Sequence, residues 1–539
     1  MATMKPAPAL VAATAIVLFA CVLQTAAKTR NFADSGGADA SASPAEIEKR
    51  LRPALEERVK IRRGAKSGGG QSARRPATAP KPRRPAINQQ DLYLLTRAWN
   101  SMTPEFRALY AEATDFPSGY GGYDSYVSPG GNFKIFYTTS GPDSISGVDT
   151  IGYGDAGESS ASMPMPKSTS KKSTSTWRTR NHGSNNVPDY IDEAAFALDS
   201  AWSMLIGRFG FVKPIPSREP GGPSTGPYNV LITNMEDYGV TIPHSGSFNP
   251  GFASHVEING DWSGDDWVDL GYDKRPYDAL RVTCAHEFFH AIQYAMVWTM
   301  GLDDITYGWL EGSAVLMEEI AFPDINDYLQ YIRQFFTNPR VSLLSNNYSY
   351  LYMNGLVLKY LYEKASPSGE SIAMIKAVHD NARAQRMISF HRNITQAANA
   401  GAGRPWAEVL NGFHAESYFT GARARPWAFV SDAERMNSWR VPATAATAEE
   451  GLTIGAYAVG FLRYEPQPDH PDTLVLTING DRDRSVGGII WGASALVTED
   501  GDSVGIAPIP IDQNGYGRFK LAGWKSKSRC LLILTNAGP

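Results

Sequence analysis

Five residues near the middle of the chain, His286-Glu287-Phe288-Phe289-His290, have the types and spacing needed to activate water. On an α-helix, positions i and i+4 differ by about 40° of rotation, so both imidazoles project from one face toward one point. Two neutral imidazoles and a third ligand hold a divalent ion and leave its fourth position open, the arrangement of catalytic zinc sites. Glu287, beside them, can take a proton from water at that position. In a chain with nine histidines, chance supplies only about 0.007 such matches. Two histidines in a buried core would be the bland alternative, but unpartnered buried imidazoles are costly and a metal removes that cost.

The third ligand sets the class. The extended His-x-x-Gly-x-x-His form is excluded, because Met296 and Gln293 stand where its histidine and glycine would be. Glu311, in Trp309-Leu310-Glu311-Gly312-Ser313-Ala314-Val315-Leu316-Met317-Glu318, is the better candidate. The stretch between His290 and Glu311 is long enough for a turn and a second helix returning antiparallel to the first. Glu318, seven positions on, shares the face of Glu311 and could accept a hydrogen bond from a ligand histidine.

His286–His290 followed by Trp-Leu-Glu-Gly-x-Ala-x-x-x-Glu resembles the glutamate-ligated zincins, such as the hyicolysin-type neutral metallopeptidases and the aminopeptidases with Trp-Leu-Asn-Glu-Gly. The Asn before the glutamate is missing here, so Trp309 sits one residue closer. A group of secreted bacterial metalloproteases is more similar still. The likeness rests on Asn-Val-Pro-Asp-Tyr at 186–190, on the run from Thr283 to Gln293, on Asp327-Tyr328-Leu329 and on Tyr418-Phe419-Thr420-Gly421-Ala422-Arg423, and it spans about Asn132 to Arg425. Such relatives often carry an acidic calcium loop before the Pro-Asp-Tyr. Residues 181–186 (Asn-His-Gly-Ser-Asn-Asn) carry no acid, so calcium is not expected. The resemblance implies Zn2+ held by His286, His290 and Glu311, with Glu287 as general base. Asp304 is a rival third ligand, since residues 301–308 resemble the Gly-Thr-x-Asp-x-x-Tyr-Gly of aspartate-ligated zinc endopeptidases. A Tyr or His donor for the oxyanion is also implied. Tyr348, Tyr350 and Tyr352 precede Gly355, and Tyr352 is the candidate.

Several elements must position these groups. Asp91–Ala113 has helical spacing, and Gly131–Thr139 has the pattern of the first strand. Val187–Phe209 carries one apolar stripe, with Pro188 suited to its first turn. Tyr228–Thr233 has the composition of a buried strand, and Ser254–Ile258 alternates like an edge strand able to hold substrate by β-addition. His255 on that strand could line the cleft. Helical patterns dominate from Pro276 to about Ser431; short β-type runs with turn signals then follow. The expected fold class is α+β: a zincin-like catalytic domain with a small mixed sheet and a helical subdomain over 91–439, then a β-sandwich over 440–539.

The 539 residues exceed one ordinary domain. Lys5 followed by the apolar run Leu10–Leu23 and small residues at 25–27 has the pattern of a signal peptide over residues 1–27, too short in its core to span a membrane. Export to the periplasm or medium is expected, with lipid anchoring at Cys21 as the lesser alternative. From Lys49 to Arg84, 13 basic residues face two acids, while the whole chain carries a formal charge of −4. The remainder is therefore acidic, which argues against nucleic acid as a partner. Residues 28–90 have the composition of a disordered basic linker or pro-segment, with a short helical stretch at Ala45–Ile61. These features together predict an exported zinc metallopeptidase, an endopeptidase acting on protein or peptide. A non-catalytic zinc-stabilised extracellular binding protein and an exopeptidase are the competing readings.

Overall fold

A computed structural model describes residues 42–67, 83–114, 123–145, 185–217, 225–244, 251–262, 277–296, 304–337, 351–385, 388–426, 428–438, 454–480, 490–498 and 504–538. The leader with Cys21, Tyr348 and Tyr350 lie outside the described residues. The fold is mixed α+β. Its N-terminal part contains helices α1 (Pro44–Ser67), α2 (Gln89–Ala98) and α3 (Pro104–Thr114), strands β1 (Asp124–Val127) and β2 (Phe133–Tyr137), and helix α4 (Asp189–Trp202). Strands β3 (Ile215–Pro216), β4 (Tyr228–Thr233), β5 (Gly239–Pro243) and β6 (Ala253–Asn259) follow, then α5 (Tyr277–Ala295) and α6 (Asp304–Ala321).

The six strands form one curled mixed sheet in the order β1-β2-β4-β6-β3, with β5 antiparallel to β6. β4 runs parallel to both β2 and β6. Every residue of β4 and of β6 is buried, as expected for strands covered on both faces. That corrects the expectation for Ser254–Ile258. The strand is internal, and the edge beside it is β5. His255 is buried as well, and its Nδ1 lies 2.8 Å from His244 Nε2. Side chains alternate along a strand. Thr241, paired with Val256, reaches α5, so the next residue of β6, Glu257, points to the opposite face, where Arg58 of α1 meets it at 2.9 Å.

Helix α1 covers the helical stretch expected at Ala45–Ile61, and its burial corrects the expectation of a disordered spacer for that part of residues 28–90. Ile47, Leu51, Leu55 and Val59 recur at helical spacing and are buried against the domain, which supplies the apolar burial that composition alone did not promise. Order also begins before Asp91. Arg84 exchanges main-chain hydrogen bonds with Asn234 and Glu236, and its guanidinium meets Asp143 and Glu257. The expected helix at 91–113 is two helices, α2 and α3, joined by a 3-10 turn at Trp99–Ser101. The helix expected over 187–209 is α4 followed by a π-turn at Ser203–Arg208, and Pro188 caps it from outside. Gly210 follows in a left-handed conformation, at φ +66°. β1 precedes the strand expected to be first.

Beyond α6 lie α7 (Arg333–Thr337), α8 (Asn354–Tyr360), α9 (Ala373–Ala384), α10 (Phe390–Gly401) and α11 (Trp406–Glu416). Among the described residues, six further strands follow: β7 (Val459–Tyr464), β8 (Thr473–Asn479), β9 (Trp491–Thr498), β10 (Val504–Pro508), β11 (Tyr516–Ala522) and β12 (Arg529–Asn536). They form a four-stranded antiparallel sheet, β10-β9-β12-β7, and a two-stranded one, β11-β8. The two sheets share an apolar cluster that includes Leu476, Val497, Trp524 and Leu532. The larger sheet is also tied to α11, where Asn411 donates to Ser494 Oγ at 2.6 Å and His414 Nδ1 lies 2.9 Å from Thr535 Oγ1.

Candidate metal centre

Eighteen consecutive residues of α5, Asp278–Ala295, are buried, so this helix runs through the core. His286 and His290 leave it on one side, with their Nε2 atoms 3.0 Å apart. Helix α6 packs against α5 and brings Glu311 Oε2 to 3.3 Å from His286 Nε2 and 3.4 Å from His290 Nε2. The approach of α6 to α8 depends on glycines. A Cβ on Gly312 would sit 2.6 Å from Asn354 Cβ, and one on Gly355 would sit 2.5 Å from Val315 Cγ1. The glycine after Glu311 is thus needed where the ligand helix meets its neighbour.

The partners of the imidazoles fix which nitrogens carry hydrogen. His286 Nδ1 lies 2.6 Å from Glu318 Oε1, a carboxylate oxygen that accepts, so Nδ1 donates. Gln293 donates through Nε2 to the Leu310 carbonyl at 3.0 Å, which turns its Oε1 toward His290 Nδ1 at 2.7 Å. Tyr93 of α2 donates to the same Oε1 at 2.7 Å and lies 3.1 Å from His290 Nδ1. With both Nδ1 atoms protonated, both Nε2 atoms present lone pairs to each other and to Glu311. Among the described residues, both Glu311 oxygens are buried without a hydrogen-bond partner.

Three electron-rich atoms thus converge in a buried space, and either a proton on His286 or a metal ion relieves their repulsion. The electrostatics agree. Burial opposes an imidazolium at His286, but Glu311 and Glu318 outweigh it and hold its pKa well above the ordinary value. Burial would raise the Glu311 carboxyl, yet His290 and His286 outweigh it and hold it well below the usual range. A field that stabilises a proton there stabilises a metal ion too. Tetrahedral coordination with bonds of 2.0–2.2 Å sets ligand atoms about 3.3–3.6 Å apart; the two Glu311 separations, 3.3 and 3.4 Å, fall in that range, and the two Nε2 atoms, 3.0 Å apart, stand somewhat closer. His286, His290 and Glu311 can therefore hold a metal ion.

Glu287 stands beside this group, outside it. Thr241 of β5 places its hydroxyl 2.8 Å from Glu287 Oε2 and 2.7 Å from the Glu287 carbonyl. Burial, ahead of the opposing pull of His290 and His286, raises the Glu287 pKa. Gly239 opens the space above it, since a Cβ there would sit 2.9 Å from Glu287 Cγ. Tyr352 is half-buried, with its ring stacked 5.9 Å from that of His286. Asp304 opens α6, and its side chain lies outside the described residues. Cys284 is buried, and burial pushes its thiol up, against a role as nucleophile.

Sequence reasoning did not find Tyr93, Thr241 or Gly239, and it saw Gln293 only as a departure from another motif. Tyr93 and Thr241 lie far from the histidines in sequence, and only strand and helix packing bring them close. Gln293, one turn past His290 on the same helix, was the one signal within reach. No protein-family model matches the chain, and no match was found among curated proteins.

Proposed function

We propose that the chain is an exported zinc-dependent peptidase of zincin type that hydrolyses internal peptide bonds in protein or peptide substrates. One observation carries the reading: a buried His-His-Glu group, whose carboxylate has no hydrogen-bond partner among the described residues, is flanked by a second acid, Glu287, that is not part of it. A site built only for stability needs no such acid, and burying one without purpose is costly. Zinc bound there supplies Lewis acidity toward a carbonyl oxygen and toward water, whose pKa such sites bring to about 7.

The chain's own groups do the rest. Thr241 anchors Glu287 Oε2 and leaves Oε1 to take a proton from water and pass it to the departing amine. Tyr352, against His286, is the proposed donor to the developing oxyanion. The apolar leader supports export, and among the described residues no helix is long and apolar enough to cross a membrane.

Glu287→Gln tests the proposal. Bound zinc should stay stoichiometric while cleavage of casein or an internally quenched peptide falls by at least about a hundredfold. Undiminished cleavage would end the mechanism, and cleavage of peptides with free but not blocked amino termini would make the protein an exopeptidase.

A further inference from the structure

The edge strand beside the metal centre already has an occupant. Along β5, Tyr238 C=O and His244 N–H bond to β6, so by alternation Gly239, Thr241 and Pro243 turn their main-chain groups away from the sheet. Pro243 has no N–H, and its carbonyl accepts from Tyr110 at 2.7 Å. Thr241 offers both groups, and Gln89 meets both. The Gln89 Nε2 donates to the Thr241 carbonyl at 3.2 Å, and the Thr241 N–H donates to Gln89 Oε1 at 3.3 Å. The second Nε2 hydrogen goes to Tyr294 Oη at 2.8 Å.

We propose that the Gln89 carboxamide stands in for a peptide group of the substrate, so that helix α2 holds the protein in a self-blocked state. The inference rests on the reading that the site acts on polypeptides. A primary carboxamide has the donor and acceptor of a backbone amide side by side, and an extended chain adding to β5 would present the same pair. The level is telling as well. Thr241 is the residue whose hydroxyl holds Glu287, so Gln89 covers the edge beside the acid that must work on the scissile bond. The same helix reaches the far side of the metal group through Tyr93 and Gln293. Its entry is pinned from the opposite face by Arg84 and, through α1, by Arg58, both on Glu257. Extended substrate gains access when the first turn of α2 draws back from Thr241.

The test uses the full chain with zinc and two variants, Gln89→Met, which keeps the bulk, and Gln89→Glu, which loses the donor to the Thr241 carbonyl. For an unstructured peptide of about eight residues, KM should fall about tenfold, the worth of one or two neutral hydrogen bonds, with kcat within about twofold. Binding of the same peptide, measured by fluorescence anisotropy in a Glu287→Gln background, should tighten equally. Unchanged or weaker binding by folded, zinc-loaded variants overturns the proposal. Loss of zinc or of the folded state in both variants also overturns it, because Gln89 would then be a structural tie. Tighter binding without cleavage by any version would retain the self-block and remove the peptidase reading.

Discussion

Glu318 Oε1 accepts a hydrogen bond from His286 Nδ1 at 2.6 Å, joining two residues 32 positions apart on neighbouring helices. Both groups are buried, so the contact holds the ring's orientation and leaves Nε2 aimed at Glu311 and His290. Glu318→Gln or Glu318→Ala should weaken zinc affinity about 10–100-fold while leaving the ligand set intact. Competition with a chelator reads this directly. An unchanged affinity would mean that the ring is held by packing alone.

Glu311 has no other use for its buried charge. Glu311→Ala should reduce bound zinc to below stoichiometric levels in metal analysis, whereas Asp304→Ala should not. The reverse result would move the third ligand to Asp304.

Tyr352 stacks on His286 and also on Tyr331, with ring centroids 5.0 Å apart in the second pair. If its hydroxyl meets the oxyanion, Tyr352→Phe should lower kcat about a hundredfold at unchanged KM, because ring stacking is preserved. A drop of less than about threefold would make it a packing residue.

His379 and His414 are neutral in the fold, since burial, helped at His379 by Lys376, pushes each pKa down to about 3. In the unfolded chain each takes its proton near 6.5. The unfolded state therefore binds more protons between these values, so stability is complete above about pH 6.5 and is lost as pH falls toward 3. Each histidine contributes a slope of about 1.4 kcal/mol per pH unit. The stability difference between wild type and His379→Phe, measured by denaturant unfolding at pH 4, 5 and 6, should shrink by about that amount per unit as pH falls. A flat difference would show the histidine to be protonated in the fold.

Arg58 and Glu257 are each 1% exposed and 2.9 Å apart. Arg58→Met leaves part of a buried charge uncompensated and should lower the unfolding free energy by about 3–5 kcal/mol, in an equilibrium denaturation experiment. A loss below 1 kcal/mol would mean that Arg84 alone satisfies Glu257. The same pair bears on processing: a chain cut just ahead of Asp91 and freed of everything before it would leave Glu257 without either arginine.

By itself the sequence determined the local patterns. The i, i+4 histidines, Glu311 with Glu318 seven residues later, and the continuous apolar run at Tyr228–Thr233 each follow from periodicity within one element, because helical and strand spacings are fixed by backbone geometry. Only the tertiary structure decided what depends on chain returns. Ser254–Ile258 alternates like an exposed edge, yet β5 lies along its free side and makes it internal. Pro44–Ser67 has the composition of a solvated spacer, but its apolar face is buried against helices α2 and α3. Tyr93, Thr241 and Gln89 reach the centre across many intervening residues, at positions set by packing and by the need to satisfy buried polar groups, neither of which leaves a spacing in the chain.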